Sequence, residues 1–210
     1  METILLAVDQ EIVRRGVRMI IESFPEKYII TEAATCSEVI QVLFSGKIQY
    51  TILDLFLEDG NIFSTIHQFI ENSYATGILV YSMNSEKIYA RRLMKKGILA
   101  FVSKQAPIAE LEKAIRCLLK NEIYLSQAMK KDLLGPVKRD LPQNPVDSLS
   151  DRELEVVEYV TFGISSGEIA QKMKLDATTV RTYRRRAFEK LGVHNNIELR
   201  DKFLFYKMQG

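Results

Sequence analysis

The sequence predicts an α/β domain built on a five-stranded, parallel, doubly wound sheet, followed by an all-α domain of four helices. Over the first ~125 residues, short runs rich in β-branched residues alternate with amphipathic stretches, as in βα units around a parallel sheet. From Ser150 onward the apolar periodicity is wholly helical. Between these regions the periodicity lapses, and three of the five prolines fall there: Pro136, Pro142 and Pro145.

Five apolar segments are expected to form the strands of the sheet. They are Thr3–Val8, Tyr28–Glu32, Tyr50–Asp54, Gly77–Ser82 and Ile98–Val102. The segments between them carry apolar residues at helical spacing, which predicts helices on both faces of the sheet. In open sheets of this kind, function collects at the carboxyl ends of the strands.

Three regions follow from these patterns. Residues 1–130 are predicted to form the first domain, residues 131–148 an extended linker, and residues 149–210 the second domain. The linker prediction depends on its prolines and mixed charge, which favour a semi-rigid spacer.

Helix starts in the second domain are marked by capping residues. Ser150 and Ser165 each precede a glutamate by three residues, which is the spacing of a capping box. Asp176 is placed to cap a third helix, and a fourth is predicted from Asn196 to Tyr206 after a break at Gly192.

The bulk composition excludes several classes of protein. With 47% hydrophobic and 27% charged residues and a net charge of +2, the chain has the composition of an ordinary globular protein. It has neither a basic leader nor an apolar run near the ~20 residues of a membrane span, so we expect a cytoplasmic protein without a membrane partner. Cys36 and Cys117 lack metal-ligand spacing and are expected to be buried apolar residues, whereas His67 is expected at the surface and His194 in a loop.

One segment of the second domain is strongly basic. Residues 178–190 carry four arginines and a lysine against a single glutamate. If Val180, Ala187 and Leu191 form the inward stripe of a helix, then Thr178, Arg181, Thr182 and Arg185 lie on the opposite side.

An outward face of arginine and threonine suits the major groove of DNA, although an arbitrary helix with this face is more often simply solvated. Arg186 and Lys190 lie toward the flank, where they are expected to contact phosphates. The predicted DNA-binding residues are Thr178, Thr179, Arg181, Thr182, Arg185, Arg186 and Lys190.

Four polar residues end strands of the first domain or open the loops that follow them. Asp9, Asp54, Ser82 and Lys104 together supply a carboxylate nucleophile, a second carboxylate for a hard divalent ion, a hydroxyl and a cation. Acyl-phosphate chemistry needs this set of groups.

The second domain resembles the LuxR-type helix-turn-helix of the NarL/FixJ response regulators. The similarity lies in the segments Leu149–Val157, Gly163–Ser165, Glu168–Ala170, Thr179–Tyr183 and Lys190–Val193. It implies that Thr178–Leu191 is the recognition helix, that Glu168–Met173 lies in the helix before it, and that the last helix assists dimerisation. Tyr183 replaces the usual histidine, and Asn196 stands where a basic or polar residue often occurs, so no base preference is carried over.

The first domain resembles the receiver of the same family, which has a flavodoxin-like fold. The similarity lies in the four polar residues above, in Phe101 and in Glu122–Ser126. It implies phosphorylation of Asp54 by a sensor histidine kinase, Mg²⁺ held by Asp9, Asp54 and the Phe56 carbonyl, and a switch formed by Ser82, Phe101 and Lys104. Homodimerisation and binding to double-stranded DNA would follow.

Two departures affect this site. The family usually has two adjacent acids after the first strand, but here Val8 precedes Asp9, which predicts weakened Mg²⁺ binding. Glu58 or Asp59 could restore part of the lost attraction. The loop after Asp54 also reaches its glycine, Gly60, early.

Two functions remain open. The chain is either a transcriptional response regulator controlled by phosphorylation, or a DNA-binding regulator whose receiver serves only for dimerisation or protein interaction. An enzyme is not expected, because the sequence lacks a glycine-rich phosphate loop, a Gly-x-Ser-x-Gly elbow and a histidine near the strand ends.

Overall fold

The computed structural model describes residues 1–46, 48–63, 66, 77–134 and 144–208. The chain divides into two compact units, Met1–Gly135 and Pro136–Gly210. Within these ranges no helix has both the length and the apolar composition that a membrane crossing needs. His67 lies outside the described residues.

The first unit contains the predicted parallel sheet. Its five strands are β1 (Thr3–Ala7), β2 (Ile29–Ala33), β3 (Tyr50–Leu53), β6 (Gly77–Ser82) and β7 (Ala100–Ser103), and a two-stranded ribbon of β4 (Phe56–Leu57) and β5 (Gly60–Asn61) follows β3. The sheet order is β2-β1-β3-β6-β7, and every neighbouring pair is parallel. The fold class predicted from the sequence is therefore confirmed.

Strand boundaries differ from the predicted ones by one or two residues, because hydrogen bonding continues past the strand ends. The Asp54 N–H donates to the Ala7 carbonyl at 2.8 Å and the Lys104 N–H to the Ser82 carbonyl at 2.9 Å. The antiparallel ribbon β4-β5 was not predicted. Its strands have two residues each and no alternating pattern to reveal them.

Helices pack on the sheet. The described helices of this unit are α1 (Glu11–Glu22), α2 (Cys36–Phe44), α3 (Glu86–Lys95), α4 (Ile108–Leu119) and α5 (Gln127–Leu134). Apolar residues of α1 and α4 form one core with β1, in which Ile4, Leu6 and Val8 are fully buried. Strand residues alternate between faces, so α2 and α3, which contact β1 and β7 respectively, cover the other face.

The position of β1 in the sheet determines where a site can form. Its neighbours are β2 on one side and β3 on the other, so the chain changes direction across the sheet between β1 and β3. A crevice opens beside the carboxyl ends of the strands at such a switch point. Asp9 follows β1 and Asp54 follows β3, so both acids lie at this crevice.

The second unit is helical. A 3₁₀ turn, Pro145–Ser148, precedes α6 (Asp151–Thr161), α7 (Ser166–Met173), α8 (Ala177–Leu191) and α9 (Asn196–Met208). Both predicted capping boxes are confirmed, at Ser150 with Glu153 and at Ser165 with Glu168. Asp176 is at the N-cap of α8, but its side chain makes no capping hydrogen bond.

Both ends of the predicted linker 131–148 have regular structure. α5 continues to Leu134, and Val146 in the 3₁₀ turn is fully buried. The C-terminal end of the linker was predicted as extended because it contains prolines. Pro145 is instead the first residue of the 3₁₀ turn, a position at which no hydrogen bond from its backbone nitrogen is needed. Cys36 and Cys117 are free thiols, and both are half-buried where burial was expected.

Candidate functional sites

Asp54 lies at the carboxyl end of β3 and is the central residue of the first site. Its side chain is only 6% exposed. The Ser82 hydroxyl at the end of β6 donates to Asp54 Oδ1 at 2.6 Å, and the Lys104 ammonium after β7 lies 2.5 Å from Oδ2. Both oxygens of this buried carboxylate are therefore held by groups from two neighbouring strands.

Lys104 also connects Asp54 to Asp9. Its Nζ is 3.6 Å from Asp9 Oδ1, and the lysine side chain is 7% exposed. The four polar residues at the strand ends thus meet at one place. A nucleophilic carboxylate, a hydroxyl and a cation within bonding distance form a suitable arrangement for acceptance of a phosphoryl group.

The donor chemistry of this site fits a hard cation such as Mg²⁺, but with few charged ligands. The Asp9 and Asp54 carboxylates approach the same ammonium, so their oxygens converge on one region. Val8, where the family's second acid would stand, is fully buried in the core cluster. Among the described residues, no group of three or more histidines, cysteines, aspartates or glutamates could hold a metal.

Asp59 does not replace the missing acid. Its carboxylate accepts from the Cys36 N–H at 2.5 Å and from the N–H and hydroxyl of Ser37, so it caps the start of α2. Burial acts to raise the pKa of Asp59, but these hydrogen bonds outweigh it and lower the pKa. Glu58 is exposed, and its N–H donates to the Ala34 carbonyl at 3.2 Å. The structure therefore assigns Asp59 to the capping of α2, and its predicted contribution to the metal site stays a prediction.

Arg14 on α1 is part of the site's surroundings and was not identified from the sequence. Its Nη1 donates to the carbonyls of Val8 at 2.6 Å and Asp9 at 3.2 Å, while its Nε bonds Glu32 at 3.0 Å. Arg18 bonds the same carboxylate. Burial acts to raise the pKa of Glu32, but the two guanidinium groups lower it. Arg14 thus holds the backbone that carries Asp9.

The two aromatic residues assigned to the site lie beside it in different ways. Phe56 follows Asp54 by two residues, and its N–H donates to Asp54 Oδ1 at 3.4 Å. Phe101 is fully buried in β7, where it pairs with Val80 of β6. Phe101 therefore lies in the strand that leads to Lys104, next to the strand that ends at Ser82.

α8 has the predicted division into an inward and an outward side. Val180 and Ala187 are fully buried and Leu191 is nearly so. Among the predicted DNA contacts, Thr178, Arg181, Arg185, Arg186 and Lys190 are exposed, and Thr179 and Thr182 are partly so. The outward side therefore presents cations and hydroxyls to solvent.

Two outward side chains are already bonded within the helix. Arg185 Nη1 lies 2.6 Å from Glu189 Oε1, and the Thr182 hydroxyl donates to the Thr178 carbonyl at 3.0 Å. An exposed pair of this kind contributes at most a few tenths of a kcal/mol, so Arg185 can exchange Glu189 for another acceptor.

Lys190 has a structural partner, which the sequence did not indicate. Its Nζ is 2.6 Å from Oε2 of Glu153 in α6, and the Glu153 side chain is 3% exposed. Burial acts to raise the pKa of Glu153, but Lys190 and the Ser150 backbone outweigh it and lower the pKa. The position of Lys190 on the flank of α8 thus joins two helices of the unit.

The similarities to known proteins agree with this division into two units. Residues 4–116 match the model of the response regulator receiver domain, and residues 147–203 match that of the luxR family of bacterial regulatory proteins.

Relatives and solved structures are similar over nearly the whole chain. The chain is 25% identical over 200 residues to the response regulator UvrY of Escherichia coli (strain K12), covering 95% of this chain and 92% of that protein. RcsB of Salmonella enterica serovar Typhimurium, solved bound to promoter P1flhDC in the presence of the phosphomimetic BeF₃⁻, has a TM-score of 0.75 and 25% identity, covering 100% and 99% of the two chains. A structure of two RcsB dimers bound to two parallel DNAs has a TM-score of 0.71 and 25% identity, covering 96% and 97%.

Proposed function

The chain belongs to the response regulators, with a receiver domain followed by a LuxR-type DNA-binding domain, and from this premise we propose that phosphorylation of Asp54 controls its dimerisation and its binding to promoters. The observation that carries the proposal is the buried Asp54 carboxylate between the Ser82 hydroxyl and the Lys104 ammonium. The chain would act as a regulator, without turnover of a substrate of its own.

The geometry supports a direct transfer of the phosphoryl group. A carboxylate oxygen of Asp54 attacks phosphorus, the bond from phosphorus to the donor nitrogen or oxygen breaks, and the donor leaves with the electron pair. Lys104 lies at Oδ2, where it would balance the charge that gathers on the phosphoryl oxygens. The Ser82 hydroxyl would exchange its bond to Oδ1 for one to a phosphoryl oxygen, which couples β6 to the modification.

Receiver domains bind Mg²⁺ at their acidic site, and here Asp9, Asp54 and the Phe56 carbonyl would hold it. Bound Mg²⁺ supplies charge neutralisation for the incoming phosphoryl group. Because Val8 contributes no carboxylate, we propose that this receiver binds the ion more weakly than one with two adjacent acids.

The second domain would place α8 in the major groove, with Thr178, Arg181 and Arg185 toward the base edges. Thr179, Thr182 and Arg186 would complete the contact, whereas the Glu153 partner of Lys190 favours a structural role for that residue. A homodimer would present two such helices to successive half-sites.

The remaining partners follow from the family. A receiver implies a histidine kinase as phosphoryl donor, and we propose a sensor kinase here. We also propose that the protein acts in the cytoplasm, because promoter DNA is found there.

The proposal is tested with wild type and Asp54→Asn, incubated with acetyl phosphate and Mg²⁺. Intact-mass measurement should show one phosphoryl group on wild type and none on the variant, which retains an acceptor for Ser82 and Lys104. Beryllofluoride should shift wild type alone toward dimer in light scattering and increase its DNA affinity in fluorescence anisotropy. Lys113→Gln, at an exposed position on α4, is the matched control and should respond like wild type.

The alternative function is a phosphorylation-independent regulator, and buried Val8 is the observation that favours it. Under that alternative, wild type binds DNA as a dimer without acetyl phosphate, and neither the phosphoryl donor nor beryllofluoride changes its affinity. That outcome would reject control by Asp54 while leaving DNA binding intact.

A further inference from the structure

A basic groove runs along one side of α8 to the turn after it. The groove has a volume of about 450 Å³. It is lined by Arg181, Arg184, Arg185, Phe188, Glu189, Gly192, Val193 and His194. Arg184 and Arg185 follow Arg181 by three and four residues, and Phe188 follows them by four and three, so these residues form one continuous stripe of the helix.

We infer that this groove binds a phosphodiester of the DNA backbone, next to the bases that α8 contacts, and that Arg184 is its central residue. The inference rests on the proposed promoter binding and adds a contact to it. Arg184 was not among the predicted DNA-binding residues, although it belongs to the basic segment 178–190.

The charge of the groove favours an anion. The groove contains three guanidinium groups and one carboxylate, that of Glu189, which is bonded to Arg185. Among the described residues, neither Arg181 nor Arg184 forms an ion pair with a carboxylate. Two positive charges therefore remain uncompensated in a concave surface, where they attract a polyanion most strongly.

Arg184 is held in place before any ligand binds. Its guanidinium carbon lies 5.2 Å from the centre of the Phe188 ring, and the side chain is half-buried. A stacked guanidinium keeps its edge N–H groups available, and that edge matches two oxygens of a phosphate. Little side-chain entropy would then be lost on binding, because the ring already restricts the arginine.

The position of the groove favours DNA over a free anion. Arg181 and Arg185 belong both to the groove and to the outward face of α8. A helix in the major groove lies between two sugar-phosphate backbones, since the groove is only about 12 Å wide. A cationic stripe next to the base-contacting face therefore meets a backbone when that face meets the bases.

The test compares full-length wild type, Arg184→Gln and Arg184→Lys on two 30-base-pair duplexes, one selected from a random pool with this protein and one of scrambled sequence. Anisotropy titrations at several salt concentrations should show that Arg184→Gln loses about three- to tenfold in affinity on both duplexes, with a salt slope lower by roughly 0.9. Arg184→Lys should keep the slope and lose part of the affinity, because it keeps the charge without the planar fork.

Lys113→Gln is the control for a change in net charge, since Lys113 is exposed on α4 of the receiver, outside the DNA-binding domain; it should keep the wild-type slope. Ethylation interference should identify a phosphate whose modification weakens wild type but not Arg184→Gln. Circular dichroism verifies folding, and Arg184→Lys remains informative if the glutamine variant unfolds.

Three results would overturn the inference. An unchanged salt slope for Arg184→Gln, with wild type binding normally, rejects the groove alone. A loss confined to the selected duplex would make Arg184 a base contact. If wild type binds neither duplex, the proposed promoter binding fails as well.

Discussion

Replacing Lys190 by methionine is expected to destabilise the C-terminal domain, because the change leaves the buried Glu153 carboxylate without its cationic partner. Lys190 Nζ lies 2.6 Å from Glu153 Oε2, and the Glu153 side chain is 3% exposed. Methionine retains the apolar stem and removes only the ammonium. The effect therefore isolates the ion pair between α8 and α6.

The expected loss follows from the burial of the two partners. Removing one partner of a fully buried pair costs about 3–5 kcal/mol. Here the Ser150 N–H still donates to Oε2 at 2.7 Å, and the Lys190 side chain is 38% exposed, so water reaches the pair. We therefore expect a loss of about 2 kcal/mol, which lowers the Tm of a domain of this size by roughly 10 °C.

The effect should depend on pH. Burial acts to raise the pKa of Glu153, but the Lys190 and Ser150 contacts hold it below its ordinary value of 4.5. A carboxylate whose pKa is lower in the folded state contributes stability above its unfolded pKa and loses that contribution as the pH falls through the folded pKa. The difference between wild type and Lys190→Met should be constant near neutral pH and shrink below about pH 4.

The assay is calorimetric unfolding of the full-length proteins, with hydrogen exchange of peptides from α6 and α8 to assign the transition. Arg186→Met is the matched control, since Arg186 is an exposed cation on the same helix. If Lys190→Met melts like wild type but its salt slope for DNA falls by about 0.9, Lys190 is a phosphate contact and the structural assignment is refuted.

Three further outcomes are expected. Val8→Asp should tighten Mn²⁺ binding, measured by electron paramagnetic resonance, because it adds a carboxylate beside Asp9. Arg181→Ala should lose about 1–3 kcal/mol in anisotropy titrations on the selected duplex and much less on the scrambled one. Asp59→Ala should reduce the stability of the receiver by about 1 kcal/mol in urea unfolding, since it removes a helix cap. That loss should diminish in acid, because the pKa of Asp59 is lowered in the fold.

Each of these outcomes has a control. Glu26→Gln removes an exposed acid before β2, at the opposite edge of the sheet, and should change neither stability nor Mn²⁺ affinity. Equal losses of Arg181→Ala on both duplexes would exclude base contact. Weaker Mn²⁺ binding by Asp59→Ala with an intact receiver would assign that acid to the metal, and an unaltered Mn²⁺ affinity of Val8→Asp would mean that no ion binds beside Asp9.

The convergence of Asp9, Asp54, Ser82 and Lys104 could be predicted from the sequence, because the carboxyl ends of parallel strands must meet at one edge. To predict the position of each of these residues, it was enough to locate the end of its strand to within one or two residues. The inward stripe of α8 was predictable for a similar reason, since a helical period fixes which residues share a side.

Contacts between distant elements were not predictable in this way. Arg14 and Glu32 are 18 residues apart, and Glu153 and Lys190 are 37 apart. Neither pair has a spacing that signals a contact, because the packing of separate elements brings the partners together. The cap that Asp59 provides for α2 was not predictable for the same reason, since its distance in sequence from Asp54 says nothing about the start of α2.

Val8 also bears on the stability of the receiver when no cation is bound. An acid at this position would sit desolvated beside Asp9 and Asp54, and mutual repulsion would destabilise the fold whenever no cation is bound. The valine instead adds apolar packing to the core around β1. We therefore expect that the stability of this receiver depends little on a bound cation. Such a domain would keep its stability when magnesium is scarce, and it would have more room to accept destabilising substitutions elsewhere.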